Sequence, residues 1–238
     1  MKARAIDPVT RDRAIESVEA LPGWLLEGDA LKLYELAHSA DGPILEIGTY
    51  RGKSTIIMAS ALRDAGRGGP IVSLDVDAIG LEEAAAAARA RGVADRIALV
   101  RGTVAALLRS HPGFAPTLVF LDGDHSRRGV ARDLAALRDR VPRGALLLFH
   151  DFHDDRNADP AQPDYGVPQA IEASWVASDC ELVGVFGCCG LFERLRGPQL
   201  SGAINLEPGA EIADLGREPI RSWIDRRIVG AVSRRLST

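Results

Sequence analysis

The chain has 238 residues, 46% of them apolar, a formal net charge of −4 and three cysteines. That length suits one α/β domain with additions, and the apolar share allows a buried core without disulfide support. The charge excludes an overall basic field of the kind that holds nucleic acid. An odd cysteine count with two adjacent excludes a disulfide framework and points to a reducing compartment.

In chain order, MKARAIDPVTRDR lacks the apolar centre of a signal sequence. No apolar run approaches the roughly 18 residues of a membrane span, so a cytoplasmic protein without a span is expected. Residues 1–42 read as an N-terminal helical segment, with Leu33, Leu36 and Ala37 on one helical face. From residue 43 the chain alternates. PILEIG, PIVSLDVD, RIALVRG, TLVFLDGD and ALLLFHD read as strands. STIIMASALRDAG, LEEAAAAARARG, TVAALLRS, GVARDLAALRDRV and VPQAIEASWVAS read as the helices between and after them. CELVGVFGCCGLFERL reads as two antiparallel strands around Gly-Cys-Cys-Gly. Near-continuous apolar strands separated by helices imply a parallel sheet covered on both faces. The expectation is a doubly wound, Rossmann-like α/β fold of seven strands, mostly parallel with an antiparallel last strand, over residues 43–197. Residues 198–238 read as a tail whose Ile220, Trp223, Ile224, Ile228 and Val232 mark an amphipathic helix, offering a homodimer contact.

Ligands in such sheets sit at the carboxyl ends of the strands. After the first strand, EIGTYRGKST resembles a phosphate-binding loop. Gly48 and Gly52 enclose only Thr49, Tyr50 and Arg51, one residue short of that pattern, though LVFLD could pass for its magnesium strand. Asp75, closing the second strand, can accept both hydroxyls of a ribose. Asp77 is the spare candidate. A dinucleotide is disfavoured because Tyr50 stands where the second glycine should be, obstructing a pyrophosphate. A nucleoside without phosphate suffers less, and S-adenosylmethionine is such a ligand.

LEIGTYRGKST, VSLDVD, FLDGDHSRRGVARDL, PRGALLLFHD and the upstream LPGWL together resemble the class I S-adenosylmethionine-dependent methyltransferases. The likeness is to the bacterial methyltransferase domain 24 type with an Asp-Gly-Asp-His motif, related to small-molecule, sugar and catechol-type O-methyltransferases, over about residues 20 to 195. The resemblance implies that Glu46 and Gly48 bind the methionine end, that Tyr50, Gly52 and Ser54 line the loop and helix start, and that Asp75 holds the ribose. It puts Gly102 and Thr103 near the adenine and Asp122 beside the cofactor. The bland readings are a helix cap for Ser54 and a turn glycine for Gly102.

LDGDHS and FHDFHDD follow the fourth and fifth strands. Adjacent parallel strands would bring Asp122, Asp124, His125, His150 and Asp151 to one edge. Acids there can bind a hard cation, and histidines supply bases near neutral pH. By position, the catechol-type likeness implies His125 as general base, with Asp124 beside it or on the cofactor arm. It gives Asp122, His150 and Asp151 as ligands where a divalent ion, magnesium or manganese, is used. A turn cap is the alternative for Asp124. The polar stretch DDRNADPAQPDYG reads as solvated loop or lid over the acceptor. Cys188 and Cys189 read as structural. The expected activity is methylation of a small-molecule hydroxyl. A non-catalytic S-adenosylmethionine-binding protein, a related hydroxylase and a phosphate-loop NTPase are the alternatives.

Overall fold

Residues 44 to 47 form β1 (Ile44–Ile47), and all four are buried. A strand with no exposed position belongs in the middle of a sheet covered on both faces. The computed structural model describes residues 5–202, 206–209 and 212–215. The further strands are β2 (Ile71–Asp75), β3 (Ile97–Arg101), β4 (Leu118–Leu121), β5 (Leu146–Phe149), β6 (Cys180–Phe186), β7 (Cys189–Arg194) and β8 (Ala213–Asp214). They lie in the order β6-β7-β5-β4-β1-β2-β3-β8. Among the named strands of the described residues, β5–β7 and β6–β7 pair antiparallel and the others parallel.

The helices follow the same logic. α1 (Pro8–Glu16) is capped by Asp7, and α2 (Glu27–Ser39) buries Leu33 and Ala37. α3 (Lys53–Asp64) buries every residue from Ser54 to Leu62 and so forms the centre of one layer. α4 (Ala78–Ala90), α5 (Val104–Ser110) and α6 (Arg127–Leu137) are capped by the side chains of Asp77, Thr103 and Ser126. Each takes an orphan N–H of its first turn. Two apolar cores result. Leu45 and Ile47 face the core with α5 and α6, while Ile44 faces the core with α1, α2 and α3.

Three expectations need correction. The sheet has eight strands rather than seven, because Ala213–Asp214 from the expected tail pairs parallel with β3. Two residues of strand carry too little pattern to be read from sequence. The helix expected over VPQAIEASWVAS is two, α7 (Val167–Glu172) and α8 (Trp175–Asp179). Ser174 adopts an extended backbone between them and its hydroxyl caps Val176. The turn between β6 and β7 is also shorter than Gly-Cys-Cys-Gly, since Cys189 already belongs to β7. The amphipathic helix expected at 220–232, with its dimer contact, lies outside the described residues. Among the described residues no helix is long and apolar enough to cross a membrane.

Candidate active site

The strand order reverses between β1 and β4, since β2 and β3 lie on one side of β1 and β4 and β5 on the other. A crevice opens there at the carboxyl ends of the strands. Gly48 stands in it with φ 98°, and a Cβ on it would meet the Asp122 carbonyl oxygen at 2.1 Å. The glycine is therefore demanded both by its backbone and by the chain beside it. Among the described residues, Tyr50 and Asp151 are the non-glycine residues with positive φ, at 47° and 54°. They follow β1 and β5, and strain of this kind gathers at functional sites.

Asp75 anchors the first loop. Its Oδ2 accepts the Tyr50 N–H at 2.7 Å, and its Oδ1 accepts the N–H groups of Val76 and Asp77 at 2.7 and 2.9 Å. Burial holds its carboxyl above the ordinary range while the N–H groups pull the other way. Glu46 is wholly buried on the α3 side of β1 and receives the hydroxyls of Ser54 and Ser73, each at 2.5 Å, and that of Thr55. Burial pushes its carboxyl up to about 7 against those hydroxyls. Ser54 thus binds Glu46 and does not cap α3, whose N-cap is Gly52 in the left-handed conformation. Lys53 points away from the loop, with Nζ 3.1 and 3.4 Å from the carbonyls of Gly23 and Glu19. Gly102 has φ 157° and donates its N–H to the Asp75 carbonyl. Thr103 caps α5, and Asp77 caps α4.

The second and third loops meet as the strand order requires. His125 Nδ1 is 3.0 Å from Asp151 Oδ2, and His125 Nε2 is 3.8 Å from Asp122 Oδ1. His150 Nδ1 is 3.0 Å from Asp122 Oδ1 and 3.3 Å from Asp151 Oδ1. Burial opposes charge on His150, but Asp122, Asp151 and Asp29 outweigh it and hold the imidazole above its usual pKa. Burial likewise opposes charge on Asp151, and His125 and His150 more than offset it, so its carboxyl lies below the usual range. Asp124 turns back onto α6. Its Oδ1 accepts the Ser126 N–H at 3.1 Å, and a Cβ on Gly129 would lie 2.0 Å from its carboxyl carbon.

Several residues here carried no signal in the sequence. The loop expected as a lid is ordered by Asn157, which donates to the Asp151 carbonyl at 2.7 Å and accepts from Val167 N–H at 3.0 Å. Tyr165 from that loop stacks on His125, with centroids 5.8 Å apart. The Arg156 guanidinium lies over the Tyr165 ring, 4.0 Å from its centroid, and also reaches Asp151 and Asp154. Asp29 of α2, fully buried, lies 3.6 Å from His150 Nε2. It accepts the Leu26, Cys188 and Cys189 N–H groups at 2.8, 2.9 and 3.2 Å. Nothing distinguishes it in sequence from any acid in a helix's first turn.

Residues 45–152 match the family model Methyltransf_24, described as a methyltransferase domain. Solved structures share the fold. An O-methyltransferase from Bacillus cereus in complex with SAH superposes with a TM-score of 0.62 at 16% identity, over 80% of this chain and 92% of that one. The O-methyltransferase TomG from Streptomyces achromogenes, involved in tomaymycin synthesis and solved with SAM, gives 0.62 at 21% identity over 82% and 93%. A methyltransferase from Podospora anserina bound to SAH gives 0.60 at 19% identity over 82% and 91%.

Proposed function

We propose, on the premise that residues 45–152 belong to the methyltransferase-domain family, that the chain transfers a methyl group from S-adenosylmethionine to a hydroxyl of a small molecule. The observation that carries the reading is the His125–Asp151 pair beside the Gly48 crevice, with Nδ1 and Oδ2 3.0 Å apart.

The residues present fit the cofactor. Gly48 leaves no side chain in the crevice, and Asp75 closes β2 with its carboxylate at the loop. In this reading Asp75 takes the ribose hydroxyls, Gly48, Tyr50 and Gly52 flank the methionine end, and Gly102 and Thr103 border the adenine. Glu46 and Ser54 support the loop from beneath. Asp122, at the end of β4, faces the sulfonium side. Bound S-adenosylmethionine supplies a methyl group already made electrophilic by its sulfonium.

The chain's own residues then orient the acceptor and move its proton. Asp151 accepts the Nδ1–H of His125 and so leaves the Nε2 lone pair free. Nε2 takes the acceptor hydroxyl's proton as its oxygen bonds to the methyl carbon and the carbon–sulfur bond breaks. Such a base typically contributes about 10² to 10⁴-fold. Tyr165 stacked on His125 restricts the ring and excludes water from that side. Asp124 acts as a positioning residue through α6. Asp122, Asp151 and His150 would hold a divalent ion where one is used, with His150 Nδ1 3.0 and 3.3 Å from the two carboxylates. One nitrogen beside two carboxylates suits manganese better than magnesium. Such an ion would lower the acceptor's pKa and fix its position.

The phosphate-loop alternative is disfavoured because Lys53 is engaged by two carbonyls of the N-terminal segment. The test is calorimetric titration with S-adenosylmethionine and with ATP, followed by transfer of labelled methyl to a panel of phenols, sugars and hydroxylated natural products. S-adenosylmethionine binding with methylation of a hydroxyl is expected. ATP binding alone sinks the proposal, and cofactor binding with no transfer to any hydroxyl favours a non-catalytic binding protein.

A further inference from the structure

Beyond that reaction, we propose that Asp29, His150, Cys188 and Cys189 form a site for one thiophilic divalent cation of the zinc class. One ligand atom from each of the four lies within 4.8 Å of the others, and all four residues are buried. They come from three separate parts of the fold: α2, the end of β5 and the β6–β7 hairpin.

Three observations point to a ligand. First, His150 is only 6% exposed, yet neither ring nitrogen has hydrogen-bond geometry with any partner. A buried polar atom without a partner is destabilising, and a metal ion removes that penalty at Nε2. Second, the spacing is that of a coordination shell around a small ion. Asp29 Oδ2 lies 3.4 Å from Cys188 Sγ and 3.6 Å from His150 Nε2. Tetrahedral zinc, with bonds of ~2.0 Å to nitrogen or oxygen and ~2.3 Å to sulfur, has edges of about 3.3–3.8 Å. Third, the carboxylates of Asp29, Asp122 and Asp151 all stand within 3.6 Å of His150. Asp151 is paired with His125 and Arg156, but Asp29 shares His150 with Asp122, and a buried charge so placed is paired or coordinates a metal.

The adjacency of the two cysteines is resolved by the hairpin. Neighbouring residues of a strand point to opposite faces, but Cys188 lies in the turn and β7 begins only at Cys189. Neither thiol is in a disulfide, and Cys188 Sγ donates to Asp29 Oδ2 at 3.4 Å and Asp151 Oδ1 at 3.8 Å. Thiolate beside imidazole selects zinc-like ions over magnesium. Asp29 is itself fixed by the Leu26, Cys188 and Cys189 N–H groups, the outer shell that orients a ligand.

The site also settles the state of His150. With Nε2 on the cation, Nδ1 carries the proton and faces Asp122 at 3.0 Å. A neutral imidazole offers one lone pair. The soft site and the hard-ion site therefore compete for one ring, and a hard ion would be left with the carboxylates of Asp122 and Asp151.

Cobalt titration of the full chain after dialysis against a chelator tests this without any activity assay. One equivalent of cobalt should give the intense near-ultraviolet band of cobalt thiolate, and zinc should abolish it. Cys188→Ser and Cys189→Ser should each weaken zinc by more than about 100-fold, beyond the 10 to 100-fold typical of an outer-shell loss, whereas Asp122→Asn should retain the band. Absence of a thiolate band in the unaltered protein overturns the proposal whatever the variants do. So does a band that survives in the Cys188→Ser/Cys189→Ser double variant, or binding that is lost with Asp122→Asn alone.

Discussion

His125 Nδ1 stands 3.0 Å from Asp151 Oδ2, and Asp151 holds a left-handed backbone, φ 54°, to reach it. The imidazole therefore presents Nε2 to the crevice with its other nitrogen tied down. His125→Ala is expected to lower turnover by about 10² to 10⁴-fold at saturating acceptor, with S-adenosylmethionine affinity unchanged. Asp151→Asn should lower it by less, because the ring remains but its proton is no longer fixed. Steady-state rates and calorimetry on both variants check this, and unchanged turnover in His125→Ala removes the base from that residue.

Asp75 holds the Tyr50 N–H, and in the proposed reading it also meets the ribose. Asp75→Ala should weaken S-adenosylmethionine by about 10 to 100-fold, the loss of one or two hydrogen bonds to a charged group. Calorimetry measures it. Affinity within twofold of the unaltered chain, in a variant whose circular dichroism is native, means the ribose lies elsewhere.

Glu46 makes stability depend on pH. Its folded carboxyl titrates at about 7 against an ordinary value of 4.5, so the folded state favours the protonated form. That contribution is full below about 4.5 and is lost as pH rises through about 7, amounting to about 3 kcal/mol for this wholly buried group. Glu46→Gln should remove it and flatten the stability profile between those limits. Urea unfolding at pH 5, 6, 7 and 8 would show it. An equally steep fall in Glu46→Gln assigns the effect to another group.

At Gly48, any side chain would collide with the Asp122 carbonyl oxygen and strain the backbone. Gly48→Ala should cost at least about 2 kcal/mol of stability and abolish S-adenosylmethionine binding. Gly102→Ala is the milder control, since its Cβ would meet the side-chain atoms Leu215 Cβ at 3.3 Å and Ala106 Cβ at 3.9 Å rather than backbone at 2.1 Å, though its φ of 157° still carries some strain. Thermal melts that rank the two the other way contradict this account of the crevice.

The sheet from β1 to β5 was legible because each strand is an apolar run closed by glycine or acid, and the reversal between β1 and β4 follows from that alternation. The loop-end residues Gly48, Asp75, Asp122, His125 and His150 were legible for the same reason, since strand ends in this architecture converge. Asp29 was not, because contact between α2 and the β6–β7 hairpin leaves no periodic trace in either segment. Nor was the ordering of the 152–167 loop, where one amide, Asn157, satisfies backbone groups that the sequence presents as solvated. The side chains of Asp124 and Thr103 show the opposite lesson. Both occupy positions that suggest chemistry, yet Thr103 caps α5 and Asp124 holds the N–H of Ser126, the cap of α6.

The tie between Asp29 and the hairpin has an evolutionary consequence. Gly28 approaches the Gly187 backbone so closely that a Cβ would meet its nitrogen at 2.6 Å, and Gly187 in turn leaves room for the Asp29 carboxylate. The segment before β1 reaches Lys53 and His150 at the strand ends yet also latches the far edge of the sheet. Swapping that segment for one from a homologue, a natural route to a new acceptor, would unlatch the hairpin unless both glycines and the aspartate travelled with it. Gly28, Asp29 and Gly187 therefore act as one unit, and a change at any of them is felt at the other two.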